Sequence, residues 1–207
     1  MFTFQTRDAM NLPYAESADQ NKDVILEVLR QAFAGQSRVL EIGAGTGQHG
    51  VHFAAHLPHL HWLPTERPGQ LEPIERWRAG AGLANLEPPQ ALDAGRPGWR
   101  MQGVDAVYTA NTFHIMAWEQ ARVCIQGIGA SLPPGGRFAV YGPFNYGGWF
   151  TSESNARFDV WLKQRDPNSG VRDFEAVCER AEAAGMAFWK DFEMPVNNRT
   201  LVFEKQA

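Results

Sequence analysis

Residues 38–47 read RVLEIGAGTG, a short apolar run followed at once by a glycine-rich turn. The run from Val39 to Ile42 is typical of a buried strand. Helical spacing resumes after Gly47 and continues through His56. Glycines in such a turn allow the backbone to approach a ligand closely. The stretch therefore predicts a strand, a ligand-binding loop and a helix in succession.

The spacing of these glycines is G-x-G-x-G, which separates the loop from two better known nucleotide-binding loops. A dinucleotide fingerprint, G-x-G-x-x-G, requires glycine at the position of Gln48. A Walker P-loop requires Gly-Lys-Ser or Gly-Lys-Thr, and neither follows here. The loop therefore need not hold a pyrophosphate, and it suits a ligand with a charged amino-acid end and a ribose.

Strand-like and helix-like segments alternate along the rest of the chain. The predicted strands are 38–42, 61–63 (closed by Pro64), a short one within 88–93, 105–109 and 137–141, and the predicted helices are 19–34, 71–81, 117–131 and 173–184. Ser17 and Gln20 suggest a capping box for the first helix. Two alternating runs, 188–194 and 200–204, flank Asn197 and Asn198 and predict an antiparallel hairpin. We therefore expect an α/β, Rossmann-like, mostly parallel sheet of seven strands that ends in this hairpin.

Length and composition narrow the function. The 207 residues suit one domain, and 19 basic against 23 acidic residues give a net charge of −4. A nucleic-acid partner is not expected, because there is no basic surplus. No apolar stretch approaches a membrane span, and the first residues do not resemble a signal peptide, so we expect a cytoplasmic protein. Cys124 and Cys178 are interpreted as two reduced, buried thiols.

Two acidic residues follow predicted strands. Glu66 lies 19 residues after Gly47, beyond the second strand, where a carboxylate can accept hydrogen bonds from both hydroxyls of a ribose. Asp93 follows the third strand and could accept from an adenine amino group. Each of them alone could also be a surface acid in a loop, but their agreement with the glycine loop favours a binding site.

Together these residues resemble the class I S-adenosylmethionine-dependent methyltransferases. Residues 41–47 resemble motif I, Glu66 the motif II acid, Asp93 the motif III acid, and residues 132–138 the turn before the fifth strand. The resemblance covers roughly residues 20–205 and implies S-adenosylmethionine as cofactor and S-adenosylhomocysteine as product. The cofactor-binding residues that it implies are Glu41, Gly43, Ala44, Gly45, Gly47, Glu66, Asp93, Ala94 and Asn111.

The chain also resembles an uncharacterised methyltransferase-like group with bacterial and animal members. The matching stretches are 21–26, 47–49, 141–148, 151–155 and 165–167. We interpret 1–207 as a single methyltransferase domain, with an N-terminal extension at 1–18 and an acceptor-site loop and insertion at 142–172.

Candidates for the chemistry follow the fourth and fifth strands, whose carboxyl ends face the ligand crevice in α/β folds. His114 and Tyr141 are the candidate catalytic residues, with His114 as a base of ordinary pKa near 6.5 or else as a structural histidine. Arg157, Arg165 and Arg172 could hold an anionic acceptor. The predicted substrate-binding residues are Asn21, His114, Tyr141, Asn145, Tyr146 and Arg157.

His49, His52 and His56 share one helical stripe, a spacing that can bind a metal. No cysteine or carboxylate completes a clear ligand set, so no metal site is expected.

The favoured function is direct, in-line transfer of a methyl group to a small-molecule acceptor. The main alternative is a non-catalytic S-adenosylmethionine-binding regulator or scaffold of the same fold. A nucleotide-dependent oxidoreductase and a protein or RNA methyltransferase are further alternatives. The oligomeric state stays open.

Overall fold

The computed structural model describes the backbone of residues 5–7 and all of residues 12–207. The strands are β1 (Gln5–Arg7), β2 (Leu12–Tyr14), β3 (Arg38–Ile42), β4 (His61–Glu66), β5 (Gln90–Ala91), β6 (Ala106–Ala110), β7 (Arg137–Gly142), β8 (Phe144–Asn145), β9 (Arg172–Asp173), β10 (Met186–Met194) and β11 (Asn198–Lys205). The helices are α1 (Glu16–Ala32), α2 (Gln48–His56), α3 (Glu72–Ala81), α4 (Trp118–Ser131), α5 (Glu153–Arg165) and α6 (Phe174–Ala183).

Seven strands form the main sheet in the order β10-β11-β7-β6-β3-β4-β5. The five strands from β7 to β5 pair in parallel, while β11 is antiparallel to both β7 and β10. The predicted class is therefore confirmed: a mixed α/β fold with a mostly parallel sheet and an antiparallel pair at its C-terminal end. Its strand order reverses at β3, and ligands bind beyond the carboxyl ends of strands at such a point.

Val39, Leu40 and Ile42 of strand β3 are buried because helices cover both faces of the sheet. Val39 packs into the layer of α1 and α2, with Phe33 and Phe53. Leu40 points the other way and packs with Ile125 and other residues of α4. Successive side chains of a strand alternate between faces, so a strand covered on both sides buries apolar residues at neighbouring positions.

The prediction that Pro64 closes the second strand is wrong, since β4 continues to Glu66. Trp62 makes both of its backbone hydrogen bonds toward the β5 side, to the backbone of Asn85 and Glu87. Two residues on, Pro64 points to the same side, and the short β5 pairs only with Thr65 and Glu66. The missing N–H of proline therefore costs no ladder hydrogen bond at this position.

Two further differences concern helices. The first helix begins at Glu16 after Ala15, and no side chain caps it, so the capping box of Ser17 and Gln20 is not formed. Helix α5 was not predicted at all. Its buried positions include Asn155 and Asp159, so it lacks the apolar stripe by which sequence patterns are recognised.

The predicted hairpin is formed by β10 and β11, and its turn is strained. Val196 and Asn197 have φ of 59° and 58°. Asparagine tolerates this region, whereas a β-branched residue rarely adopts it. The Asn155 side chain of α5 donates to the carbonyl of Asn197 at 3.0 Å, which ties the turn to that helix.

Cys124 is buried and Cys178 only half-buried, and both are free thiols. In the part of the chain that the structure describes, no helix combines the length and the apolar character needed to cross a membrane.

Candidate functional site

The glycine loop leaves the carboxyl end of β3 and is fastened to β4. Gly43 and Ala44 both donate their N–H groups to the carbonyl of Thr65, at 3.1 and 3.0 Å. Gly47 has φ of 90° and immediately precedes helix α2. The loop is therefore held at its start by the neighbouring strand and at its end by a helix N-terminus.

The three glycines of the loop have positive φ but different surroundings. A Cβ on Gly43 would lie 2.9 Å from Thr112 Oγ1, and one on Gly47 would lie 2.9 Å from the Cα of Ile74. A Cβ on Gly45 would meet no atom within 4 Å. Gly43 and Gly47 are thus required for packing, and Gly45 borders open space.

Glu66 lies beside this open position. Its Oε2 accepts the N–H of Gly45 at 3.1 Å, and its Oε1 accepts the N–H of Arg67 at 2.8 Å. The carboxylate predicted from spacing alone is therefore in direct contact with the glycine loop.

The next two strand ends carry the remaining predicted polar residues. Asp93, beyond β5, accepts the N–H of Gly95 at 3.3 Å and pairs with Arg96 at 3.0 Å. Ala94 is buried beside it. Asn111, beyond β6, has φ of 54°, a conformation that is uncommon outside glycine and is often found at functional sites. Parallel pairing brings the carboxyl ends of β3, β4, β5 and β6 to one edge of the sheet.

Glu41 occupies a different place from the other predicted cofactor-binding residues. Its side chain is 2% exposed and accepts the indole N–H of Trp62 at 2.7 Å. A Cβ on Gly50 of α2 would lie 3.0 Å from its Oε2. Burial, with a smaller contribution from the charge of Glu66, raises the pKa of Glu41 from 4.5 to about 7. Glu41 therefore supports the loop from beneath α2.

A cavity of about 320 Å³ lies between α1, α5, the hairpin turn and the carboxyl ends of β6 and β7. Three predicted site residues line it, Asn21, Asn111 and Tyr141. Pro143, Ser154, Asn155 and Phe158 also line it and lie within 142–172, the segment predicted to form the acceptor site. The sequence did not indicate the remaining lining residues, which are Ser17, Gln20, Val24, Pro195, Val196 and Asn198.

The cavity adjoins the glycine loop. Asn111, which lines it, is followed by Thr112, the residue that packs against Gly43. The N–H of Asn111 donates to the carbonyl of Tyr141 at 2.9 Å, which fixes two walls of the cavity relative to each other. A ligand on the loop and a second ligand in the cavity would therefore be neighbours.

A buried chain of hydrogen bonds reaches the cavity from the core. His49 Nε2 lies 2.7 Å from Asn21 Oδ1, which can only accept, so this nitrogen carries the proton. His49 Nδ1 then accepts from the Tyr108 hydroxyl at 3.3 Å. Asn21 in turn hydrogen-bonds the Tyr141 hydroxyl, and burial raises the pKa of Tyr141. Burial also lowers the pKa of His49 to about 4, so the imidazole of His49 is neutral at pH 7.

His114 lies behind the cavity wall. It is 6% exposed, and its ring contacts Phe158 edge-on, with ring centres 5.2 Å apart. Burial, with a smaller contribution from the Arg172 charge, lowers its pKa to about 4. The ordinary histidine pKa of 6.5 therefore does not apply to His114 in the folded protein, because burial disfavours the charged imidazolium.

The other predicted substrate-binding residues do not line this cavity. Asn145 is buried in the small β8-β9 sheet. The hydroxyl of Tyr146 donates to Asp191 at 2.6 Å. The side chain of Arg157 is 73% exposed and lies 3.4 Å from Glu153.

The three histidines of α2 have separate surroundings. His49 is buried in the hydrogen-bonded chain, while His52 lies 3.1 Å from Asp23 and 4.4 Å, between ring centres, from His56. Across residues 12–207, no group of three or more histidine, cysteine or acidic side chains is arranged to hold a metal ion.

Comparison with known proteins agrees with this geometry. Residues 12–205 match the family described as "Protein of unknown function (DUF938)". The fold is similar to that of the S-adenosylmethionine-dependent methyltransferase SibL (TM-score 0.78, 22% identity) and of mitomycin 7-O-methyltransferase MmcR (0.76, 17%). It is also similar to human N-acetylserotonin methyltransferase in complex with S-adenosylmethionine (0.75, 14%).

These matches cover 92%, 91% and 93% of this chain but only 56%, 55% and 53% of those proteins. The chain thus spans little more than half the length of the methyltransferases that it matches. At these identities the likeness concerns the fold.

Proposed function

The chain belongs to the DUF938 family of unknown function, and from that premise we propose that it is an S-adenosylmethionine-dependent methyltransferase acting on a small molecule. One observation carries the proposal: four adjacent parallel strands end in the glycine loop, Glu66, Asp93 and Asn111, with Gly45 open beside the Glu66 carboxylate. The methyltransferase fold of the similar structures supports it.

The residues present fit the cofactor. The open space at Gly45 admits a ligand against the loop backbone. Each oxygen of Glu66 accepts one backbone N–H and keeps a further lone pair for a ribose hydroxyl. Asp93, at the end of β5, is available to an adenine amino group. When bound, S-adenosylmethionine would supply a methyl group activated by its attachment to a sulfonium centre.

The chain's own contribution is mainly positioning. The cavity that Asn111 and Tyr141 line would hold the acceptor beside the glycine loop, so that an oxygen or nitrogen of the acceptor could take the methyl group that S-adenosylmethionine would supply. The proton lost by the acceptor would pass to water. The raised pKa of Tyr141 keeps its hydroxyl protonated as a hydrogen-bond donor. Holding the two reactants in line is itself a large source of rate enhancement.

The protonation states of two residues favour the alternative of a non-catalytic binding protein. A general base works best when its pKa lies near the working pH. His114 has a pKa of about 4, so it is too weak a base at pH 7. The raised pKa of Tyr141 keeps its hydroxyl protonated, so it does not supply a phenolate base. Transfer of label from methyl-labelled S-adenosylmethionine to any component of a cell extract decides between the two functions, because a regulator would transfer none.

The proposal is tested by calorimetric titration with S-adenosylmethionine and S-adenosylhomocysteine, together with the Glu66→Ala variant. We expect the wild-type protein to bind both. Glu66→Ala should weaken binding by about 1–3 kcal/mol, or roughly 5- to 150-fold, because the ribose hydroxyls lose their acceptor.

Glu179→Ala is the matched control, since this glutamate is exposed on α6 and pairs with its neighbour Arg180. It should bind like the wild type. Absence of binding by the wild-type protein, or equal affinity of the Glu66 and Glu179 variants, would contradict the proposed site.

A further inference from the structure

Among residues 12–207, the side chains that line the acceptor cavity are all uncharged. Of its lining residues, five are carboxamides, three are hydroxyls and five are apolar. An ion that enters such a cavity loses part of its hydration and finds no opposite charge to compensate. A neutral polar molecule meets hydrogen-bonding groups on several sides.

The arginines that the sequence offered for an anionic acceptor have other contacts. Arg157 is exposed beside Glu153. Arg165 stacks over Trp161, with 4.4 Å from its guanidinium carbon to the ring centre. Arg172 donates to the backbone carbonyls of three residues, Phe113, Met116 and Asn168. None of the three lines the cavity.

Two side chains in the cavity are available to a ligand. Among the described residues, the Asn111 amide has no hydrogen-bond partner, and its strained backbone holds it at the end of β6. The Tyr141 hydroxyl accepts from Asn21, which is itself fixed by His49, so its own proton is free to be donated. The pair offers a donor and an amide that both donates and accepts.

Resting on the proposed function, we propose that the methyl acceptor is a small neutral molecule whose hydroxyl, carbonyl or amide groups bind Asn111 and Tyr141. Carboxylates, phosphates and ammonium compounds are poor acceptors, because each brings a charge into a cavity whose described lining residues carry no counter-charge. The volume of about 320 Å³ is at the small end of ligand pockets, which favours a compact acceptor.

The test separates acceptors by charge before the reaction, since methylation itself can neutralise a carboxylate. A macromolecule-free extract of the cells that make the protein is divided by ion exchange into neutral, anionic and cationic fractions. Each fraction is incubated with the full-length protein and methyl-labelled S-adenosylmethionine. We expect label to enter a compound of the neutral fraction.

Label that enters mainly the anionic or the cationic fraction would overturn the proposal. So would label in no fraction while calorimetry shows that the cofactor binds, because the cavity would then take no small-molecule acceptor. Failure of the wild-type protein to bind the cofactor is a distinct result, which overturns the proposed function instead.

The role of Tyr141 is tested with Tyr141→Phe, which removes the hydroxyl and keeps the ring. Transfer to the neutral fraction should fall by about tenfold, the loss of one hydrogen bond, with cofactor affinity within about twofold of wild type. Tyr14→Phe is the control, since the hydroxyl of Tyr14 donates to Asp19 outside the cavity. Equal transfer by the two variants would overturn the assignment of Tyr141.

Discussion

Gly45→Arg is expected to abolish binding of S-adenosylmethionine, with a loss of at least about 100-fold in affinity, or roughly 3 kcal/mol. The arginine side chain would fill the open space at the centre of the glycine loop, where no atom lies within 4 Å of a Cβ. Substitution of Gly43 or Gly47 would answer a different question, because a Cβ there collides with Thr112 or Ile74 and disturbs packing. Calorimetric titration measures the loss.

Gly82→Arg is a closely matched control. Gly82 has φ of 60°, against 58° for Gly45, and open space around it, but it lies at the end of α3. Both variants bear the same backbone strain, about 1–2 kcal/mol for an L-residue in this region. We expect Gly82→Arg to bind the cofactor normally. Normal binding by Gly45→Arg would place the cofactor elsewhere.

Glu41→Gln is expected to change the pH dependence of stability. The raised pKa of Glu41, about 7 against an ordinary 4.5, means that the folded chain holds a proton that the unfolded chain releases. Stability is therefore lost as pH rises from 4.5 through 7. Glutamine imitates the protonated glutamate and does not titrate, so the variant does not share this loss of stability. The free energy of unfolding of the variant, minus that of the wild type, should therefore increase by roughly 2 kcal/mol from pH 5 to pH 8.

Chemical denaturation at several pH values measures the free energy of unfolding of both proteins. The substitution itself changes this free energy by a constant amount at every pH, so the test is how the difference between the two proteins changes with pH. Glu87→Gln is the control of opposite sign. Arg38 lowers the pKa of Glu87 through two hydrogen bonds of 2.7 Å, so its contribution is lost as pH falls. Parallel pH curves for Glu41→Gln and the wild type would refute the assigned protonation of Glu41.

The sequence predicted the parts of the site that depend on local geometry. A strand, a turn of positive φ and a helix follow from the residues of 38–56 themselves, because apolar runs and glycines act over a few positions. Glu66 and Asp93 were found by their place after successive strands. Parallel pairing in register brings Glu66 into contact with Gly45, a contact that the spacing did not predict.

The sequence by itself thus determined the fold class, a mostly parallel sheet that ends in an antiparallel hairpin, and the position of the glycine loop. Only the tertiary structure decided the acceptor cavity, since its walls come from five separate segments of the chain. The tertiary structure also decided the charge state of His114, because burial lowers its pKa. It likewise decided that the Arg157 side chain is exposed to solvent. Periodicity records which face of an element is apolar, whereas desolvation and the meeting of distant segments arise only when the elements pack.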